Sequence, residues 1–425
     1  MSRRGSRSAF SFFHVSLGLA VVCALALMAV RIGSVFSLSG FPLVTTSGAE
    51  EEAVLGIWRA VHGGAYADPL KIPFAASYYN WLFFQSYGGV TQWALEAHGL
   101  PPDAFATVGR LLTLCGLALG GGLMAWGMRL CHGSFGVLPG LLVAYACLGP
   151  LIGWWAVSLH PEIWATTLSL AAALVMMAFY ERTPVRAVVL ASFISFLAWS
   201  FKQSHLYVAL AMGLFLLQRR DWAGVALAVA LHLAGLGLTL KLGSEAYLRS
   251  IVLAGASDYS WESFRHVLLN LLPKAGAIVL MAGAVLWTGE TRTALWRNVP
   301  GRFLLFATVS CLTVAPMTAK IGASETYYMP LIAFLTLLAA RFEPERGGIR
   351  ETVIGLAWLA HGALCIGVLG GWMGVASVAG YDPVYREQRA CVRDLPSPMW
   401  SFHPYLSLPW MHPEGPHFIL AYDYA

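Results

Sequence analysis

Glu50-Glu51-Glu52 is a run of three carboxylates in a chain of 425 residues that holds only 22 acidic side chains. Like charges this close raise one another's pKa, which suits a general base. The run also has a plainer use, because anions stabilise the start of a helix by about 0.3–1 kcal/mol each. Val54, Ile57, Trp58 and Val61 follow at helical spacing, which predicts a helix over Ala49–His62 that those carboxylates would open. The natural counterparts of a base are fixed cations. The chain has five lysines (Lys71, Lys202, Lys241, Lys274 and Lys320), and Arg110 lies several residues inside an apolar stretch. Singly, each is explained by snorkelling; as a set, they could meet the phosphate of an anionic lipid, since cations at that depth are costly unless paired or wet. His160, just before Pro161-Glu162, and His205, three residues past Lys202, read as hydrogen-bonded boundary residues more readily than as ligands. The twelve histidines show no H-x-x-x-H or H-E-x-x-H spacing, and there is no G-x-S-x-G elbow, Walker loop or C-x-x-C. No metal site is therefore expected from spacing.

The elements that must position these groups are membrane helices. Hydrophobic residues make up 58% of the chain and charged ones 12%, with a mean hydropathy of +0.65. A soluble domain carries about 25% charged residues, so the composition excludes a soluble enzyme and a disordered chain and argues against nucleic-acid binding. Apolar windows of membrane length recur at 12–33, 105–128, 135–156, 161–180, 185–201, 204–218, 222–241, 272–289, 302–319, 327–340 and 352–376. The fold class expected is an all-α polytopic membrane protein of about eleven spans. With the N-terminus in the cytoplasm, alternating spans put fourteen arginines against six acids on the inner side, as the positive-inside rule asks. The C-terminus then lies outside, in the periplasm if the membrane is a bacterial inner membrane. Residues 1–376 form the transmembrane domain and 377–425 a short outer tail.

Long connections mark where function concentrates. The outer pieces 34–104, 242–271 and 377–425 are long, whereas the inner ones are short. Besides Ala49–His62, the first loop predicts a second interfacial helix near Tyr78–His98. It is dense in Tyr78, Tyr79, Trp81, Phe83, Phe84, Tyr87 and Trp93, aromatics that suit the headgroup belt. Five cysteines lie in spans, so no disulfide framework is expected.

Several segments resemble the GT-C glycosyltransferases, polytopic enzymes that use polyprenyl-phosphate sugars, and most of all the branch of protein mannosyltransferases, aminoarabinose transferases and bacterial family-39-like enzymes. TTSGAEEEAVLGIWRAVHGGAYADP resembles the first-loop pattern of that branch, with Glu51-Glu52-Ala53 where Asp-Glu-Ala is usual and Asp68 in the closing Tyr-x-Asp. Glu50 leaves the register ambiguous by one residue. SLHPEIWATTLSLAAAL resembles the Arg-Pro-Asp/Glu segment that opens a helix, with His160 for Arg and Glu162 as the acid. FKQSHLY resembles the Lys-Gln-Thr/Ser segment, carried by Lys202, Gln203 and Ser204, and SETYYMPLIAFLTLLAA the late Tyr-x-x-Pro helix start at Tyr327.

The resemblance implies a GT-C-like fold and transfer of a sugar from a polyprenyl-phosphate donor to a lipid, glycan or protein acceptor at the outer face. It implies a general base among Glu50, Glu51 and Glu52. Donor or substrate contacts would come from Lys202, first among the cations, with Lys320, Arg110 and Lys71, and from Gln203, Glu162, His160, Tyr327 and Asp68. No cofactor is required, although a divalent metal, used by some relatives, stays open. Other classes compete with this reading. A transporter or flippase would show an inverted repeat or paired acids at mid-membrane, and neither is visible; a non-catalytic scaffold of GT-C shape would have lost the base.

Overall fold

Hydrocarbon offers no partner to a backbone N–H or C=O, so a spanning chain must satisfy its own hydrogen bonds, and an apolar helix does so residue by residue. The computed structural model describes residues 11–37, 49–66, 79–101, 104–255, 258–343 and 348–376, with residues 387, 390, 391 and 394. Its helices are α1 (Phe12–Ser37), α2 (Ala49–His62), α3 (Trp81–His98), α4 (Phe105–His132), α5 (Val137–Leu148), α6 (Glu162–Phe179), α7 (Pro184–Phe201) and α8 (Tyr207–Gln218). They continue with α9 (Trp222–Leu242), α10 (Glu245–Gly255), α11 (Trp261–Trp287), α12 (Gly289–Arg297), α13 (Val299–Cys311), α14 (Met329–Ala339) and α15 (Ile349–Ala376). Three short 3-10 stretches, Gly153–Val157, Leu312–Ala319 and Glu325–Tyr328, lie between them. The described residues hold no strand beyond one isolated antiparallel bridge, Tyr259 to Lys320.

Every apolar window of the sequence holds a helix, and eight of these are long and apolar enough to cross a membrane. The other three are short. At about 1.5 Å per residue, the 12 residues of α5 or α8 reach little more than half of a bilayer core of roughly 30 Å. The chain is an integral membrane protein of all-α class. Several boundaries differ from the expected ones: α5 ends at Leu148, well short of 156, ahead of Gly149-Pro150, α13 gives way to a 3-10 stretch after Cys311, and α11 starts at Trp261, not near 272, its polar first turns (WESFRH) and internal Pro273 having hidden the start. Ser260 caps this early start by accepting from the Ser263 N–H at 3.0 Å.

Two features fix how the helices meet. On α4, Gly109, Gly116 and Gly120 stand where a side chain would collide: a Cβ there would come within 2.6 Å of Leu159, 2.8 Å of Trp164 and 2.7 Å of Thr167 Oγ1. These bare positions let α6 and the chain leading into it close on α4. The first and last long helices, α1 and α15, lie side by side, with Phe12 over Gly355 and Ala20 against Gly362.

The first-loop helices form a second, separate core. Val54, Leu55, Ile57 and Trp58 of α2 pack with Phe83, Phe84 and Tyr87 of α3 onto Phe105, Leu159, Ala165 and Phe201. Gly56 admits the Phe84 ring, since a Cβ there would lie 2.3 Å from it. Burying each of these large side chains contributes about 1.5–3 kcal/mol. The aromatics read as a headgroup belt therefore divide: Trp93 is 64% exposed, whereas Phe83, Phe84 and Tyr87 have no exposed surface. The helix pair is a packed cap on the bundle.

Candidate active site

The cap and the bundle meet on one short piece of backbone, Ser158–Glu162, which leads into α6. Pro161, with φ −72°, sets the entry, and α6 begins at Glu162. A buried backbone group must find a partner, and here side chains from two other helices supply them, one of them steadied by a third. Thr113 of α4 donates to the Ser158 carbonyl at 2.9 Å, and the Tyr87 hydroxyl of α3 lies 2.7 Å from Thr113 Oγ1. The Leu159 N–H donates to Glu50 Oε1 of α2 at 2.9 Å.

That same Glu50 carboxylate is gripped by Arg110, whose Nε donates to Oε1 at 2.9 Å and whose second terminal nitrogen donates to Oε2 at 3.0 Å. Glu50 is 1% and Arg110 3% exposed. The planar guanidinium fork matches both carboxylate oxygens, the strongest form of such a pair. A charge this deep is tolerable only when paired and hydrogen-bonded, and Glu50 meets both conditions.

Three residues beyond Leu159, at Glu162, a second group assembles. Lys202, in extended backbone just past the end of α7, donates to Glu162 Oε1 at 2.6 Å. Its ammonium also lies 4.4 Å from the centre of the Tyr327 ring, a cation–π contact. Burial works against the lysine's charge, and the Glu162 carboxylate more than offsets it, so the Lys202 pKa rises above its ordinary value. His160 Nδ1 lies 3.2 Å from Glu162 Oε2 and 3.1 Å from the Tyr79 hydroxyl, and Trp155 meets the imidazole edge-on at 4.6 Å. His160 Nε2 is buried without a hydrogen-bond partner among the described residues.

The structure thus brings Lys202, Glu162, His160 and Tyr327 into one cluster, with half-buried Gln203 next in the turn. It puts Arg110 against Glu50, not among the lysines. Lys320 is 9% exposed and lies in the bridged strand-like segment before the Glu325–Tyr328 turn, where Glu325 is ion-paired with Lys274 of α11. Lys71 and Asp68 lie outside the described residues, as does nearly all of the tail from 377. Glu51 and Glu52 follow Glu50 on the α2 backbone, and their side chains are outside the description. Among the described residues no three His, Cys, Asp or Glu side chains are grouped to hold a metal ion.

Asn80 has a positioning role that sequence reasoning missed. Fully buried, it opens α3 by accepting from the Trp81 N–H at 2.9 Å, donates to the Trp199 carbonyl of α7 at 2.9 Å, and accepts from the Tyr247 hydroxyl of α10 at 2.7 Å. It ties the cap to the end of α7, three residues before Lys202. An asparagine before an apolar run signals a helix start; nothing local marks the two distant partners.

No family model and no curated protein matches the chain. Among solved structures, it is similar to ArnT from Cupriavidus metallidurans bound to undecaprenyl phosphate, with a TM-score of 0.56 and 13% identity over 94% of this chain and 87% of that one. The same protein in its apo state aligns at a TM-score of 0.53 and 13% identity, over 90% and 83%. The chain shares the all-helical fold of ArnT over most of both lengths. An oligosaccharyltransferase from Archaeoglobus fulgidus, in complex with Zn and sulfate, also aligns, at a TM-score of 0.49 and 12% identity over 90% of this chain and 56% of that one. At such identities the likeness is one of architecture. Within this fold, the first-loop helices and the Ser158–Glu162 crossing bring together the buried pairs Glu50–Arg110 and Glu162–Lys202.

Proposed function

We propose that this chain is a membrane glycosyltransferase that moves a sugar from a polyprenyl-phosphate donor to an acceptor at the outer, periplasmic face, with a first-loop carboxylate as general base. The observation that carries the reading is the buried Lys202, held on Glu162 and the Tyr327 ring inside a GT-C fold. ArnT, whose fold the chain shares, has been solved bound to undecaprenyl phosphate.

In the reaction, the bond between the anomeric carbon and the phosphate oxygen breaks and the polyprenyl phosphate leaves with the electron pair. The acceptor hydroxyl or amine forms the new bond and gives up its proton. Negative charge grows on the departing phosphate, so a fixed cation aimed at it favours the transition state over the ground state. Lys202 supplies that cation, with Lys320 and Lys71 as further contacts and Gln203, His160, Tyr327 and Asp68 around the sugar phosphate. Arg110 is committed to Glu50. The same commitment, with donors on both its oxygens, supports Glu51 or Glu52 over Glu50 as the residue that takes the acceptor's proton. The acceptor is a lipid, a glycan or a protein.

The test is release of polyprenyl phosphate by purified protein given a polyprenyl-phosphate sugar and acceptor. Removing a general base costs about 10²–10⁴-fold, so Glu51→Gln or Glu52→Gln should lower turnover by that order with donor binding kept. Full turnover in both variants would remove the proposed base. Movement of a solute across vesicles without release of lipid phosphate would replace the enzyme with a transporter.

A further inference from the structure

Lys202 is held to α6 by more than its ion pair. The turn after α7 runs Lys202-Gln203-Ser204-His205 and closes on itself, with the His205 N–H donating to the Lys202 carbonyl at 3.0 Å. His205 is 2% exposed, and its Nδ1 lies 3.0 Å from Ser169 Oγ on α6. The imidazole is also hydrogen-bonded to the backbone carbonyl of Ala165, one turn earlier on the same helix. Glu162, Ala165 and Ser169 are spaced at three and four residues and so share one face of α6. The Lys202–His205 turn is therefore clipped to that face twice, by an ion pair at Glu162 and by a histidine about two turns deeper.

From this geometry we infer that His205 is a positioning residue: as a neutral, doubly hydrogen-bonded imidazole it holds the turn on α6 so that the Lys202 ammonium stays at Glu162, ready for the donor phosphate. The inference rests on the functional reading above for its last clause only. Burial, followed by the charge of Lys202, pushes the His205 pKa down to about 3, so the ring is uncharged across the physiological range and adds no cation to repel the lysine. A charged side chain here would compete with Lys202 for Glu162. An unbranched apolar one would leave Ser169 and the turn unclipped.

The experiment uses full-length protein in nanodiscs and reads Lys202 directly. Acylation of lysines by a water-soluble amine reagent, followed by mass spectrometry, compares Lys202 with exposed Lys241. Losing a buried hydrogen-bonded partner costs about 1–3 kcal/mol, or roughly 5–150-fold in an opening equilibrium. His205→Ala should raise Lys202 labelling by about 10-fold or more while Lys241 is unchanged, and His205→Asn, which can still bond to Ser169 or Ala165, should restore most of the protection. Unchanged Lys202 labelling in folded His205→Ala protein overturns the inference, and so does His205→Asn behaving like His205→Ala. A second arm titrates undecaprenyl phosphate. His205→Ala should weaken its binding and lower kcat by about 10-fold with the donor KM within about 3-fold, because Lys202 acts on charge that grows in the transition state, a split that general loosening of the fold would not give. If wild-type protein binds no undecaprenyl phosphate, the functional reading fails, while the labelling result still decides the role of His205.

Discussion

The chain buries two carboxylate–cation pairs on either side of the Leu159–Glu162 crossing, and they are built for different tasks. Glu50–Arg110 is closed: a planar fork fills both oxygens and the Leu159 N–H adds a third donor. Glu162–Lys202 is open-ended. A single ammonium meets one oxygen, a histidine meets the other, and that histidine keeps a buried nitrogen unused by the described residues. Arginine is the residue for a fixed, geometrically matched contact, whereas lysine is a point charge that can turn from one anion to another. The first pair locks the cap onto the bundle. The second has a cation it can lend to a ligand.

Breaking the closed pair should have the largest effect. Arg110→Ala strands a buried carboxylate, and removing one partner of such a pair costs about 3–5 kcal/mol; the expected result is a fall in thermal midpoint in detergent large enough to reduce the yield of folded protein. Arg110→Lys should recover only part of it, because the fork is lost. On the open pair, Lys202→Ala leaves Glu162 with His160 as its side-chain partner, so the thermal midpoint should fall here too, by less than in Arg110→Ala, and the protein that folds should turn over about 10²–10³-fold more slowly, the usual cost of removing one electrostatic stabiliser of a transition state. If the two variants exchanged phenotypes, with Lys202→Ala unfolding and Arg110→Ala merely inactive, the contrast drawn here would be wrong.

Acid sharpens the comparison further. The His205 pKa lies near 3 in the folded chain against an ordinary 6.5, so the unfolded chain takes up a proton first, and stability present above pH 6.5 is lost as pH falls toward 3. Lys202 has the opposite sign: its raised pKa means that its contribution is fully present below pH 10.5 and fades as pH rises above it. Thermal midpoints measured from pH 7 to pH 4 should therefore decline less steeply in His205→Asn than in wild type. The smallest effect is expected for Tyr79→Phe, which removes a neutral hydroxyl from His160; at about 0.5–1.5 kcal/mol, it should shift donor affinity by no more than about 10-fold.

Much of the architecture was legible before any coordinates. The apolar windows and the helix at Ala49–His62 follow from period and composition, because a membrane asks the same of every span, whereas the resemblance to the GT-C family was carried by short motifs such as FKQSHLY. The α11 start was hidden by Pro273 and a polar first turn. Pairing was harder to read. Nothing in the run Glu50-Glu51-Glu52 says that the first carboxylate faces Arg110, since three neighbours on a helix point about 100° apart and only the packed partner selects one. The joining of Glu162 to Lys202, 40 positions later, depends on how α6 and α7 fold back on one another, as does the link from Asn80 to Trp199 and Tyr247. Chemistry-bearing residue types were visible; their partners belong to tertiary packing.

The side-by-side seating of α1 on α15 has a bearing on assembly. A ribosome delivers the Phe12 region early and the Gly355–Gly362 region hundreds of residues afterwards, so the apolar flank of α1 spends most of synthesis covered by lipid or by insertion machinery. Closure of the bundle is then a late, long-range event, and a chain stalled before α15 would present the translocon with an orphaned helix, a natural handle for quality control.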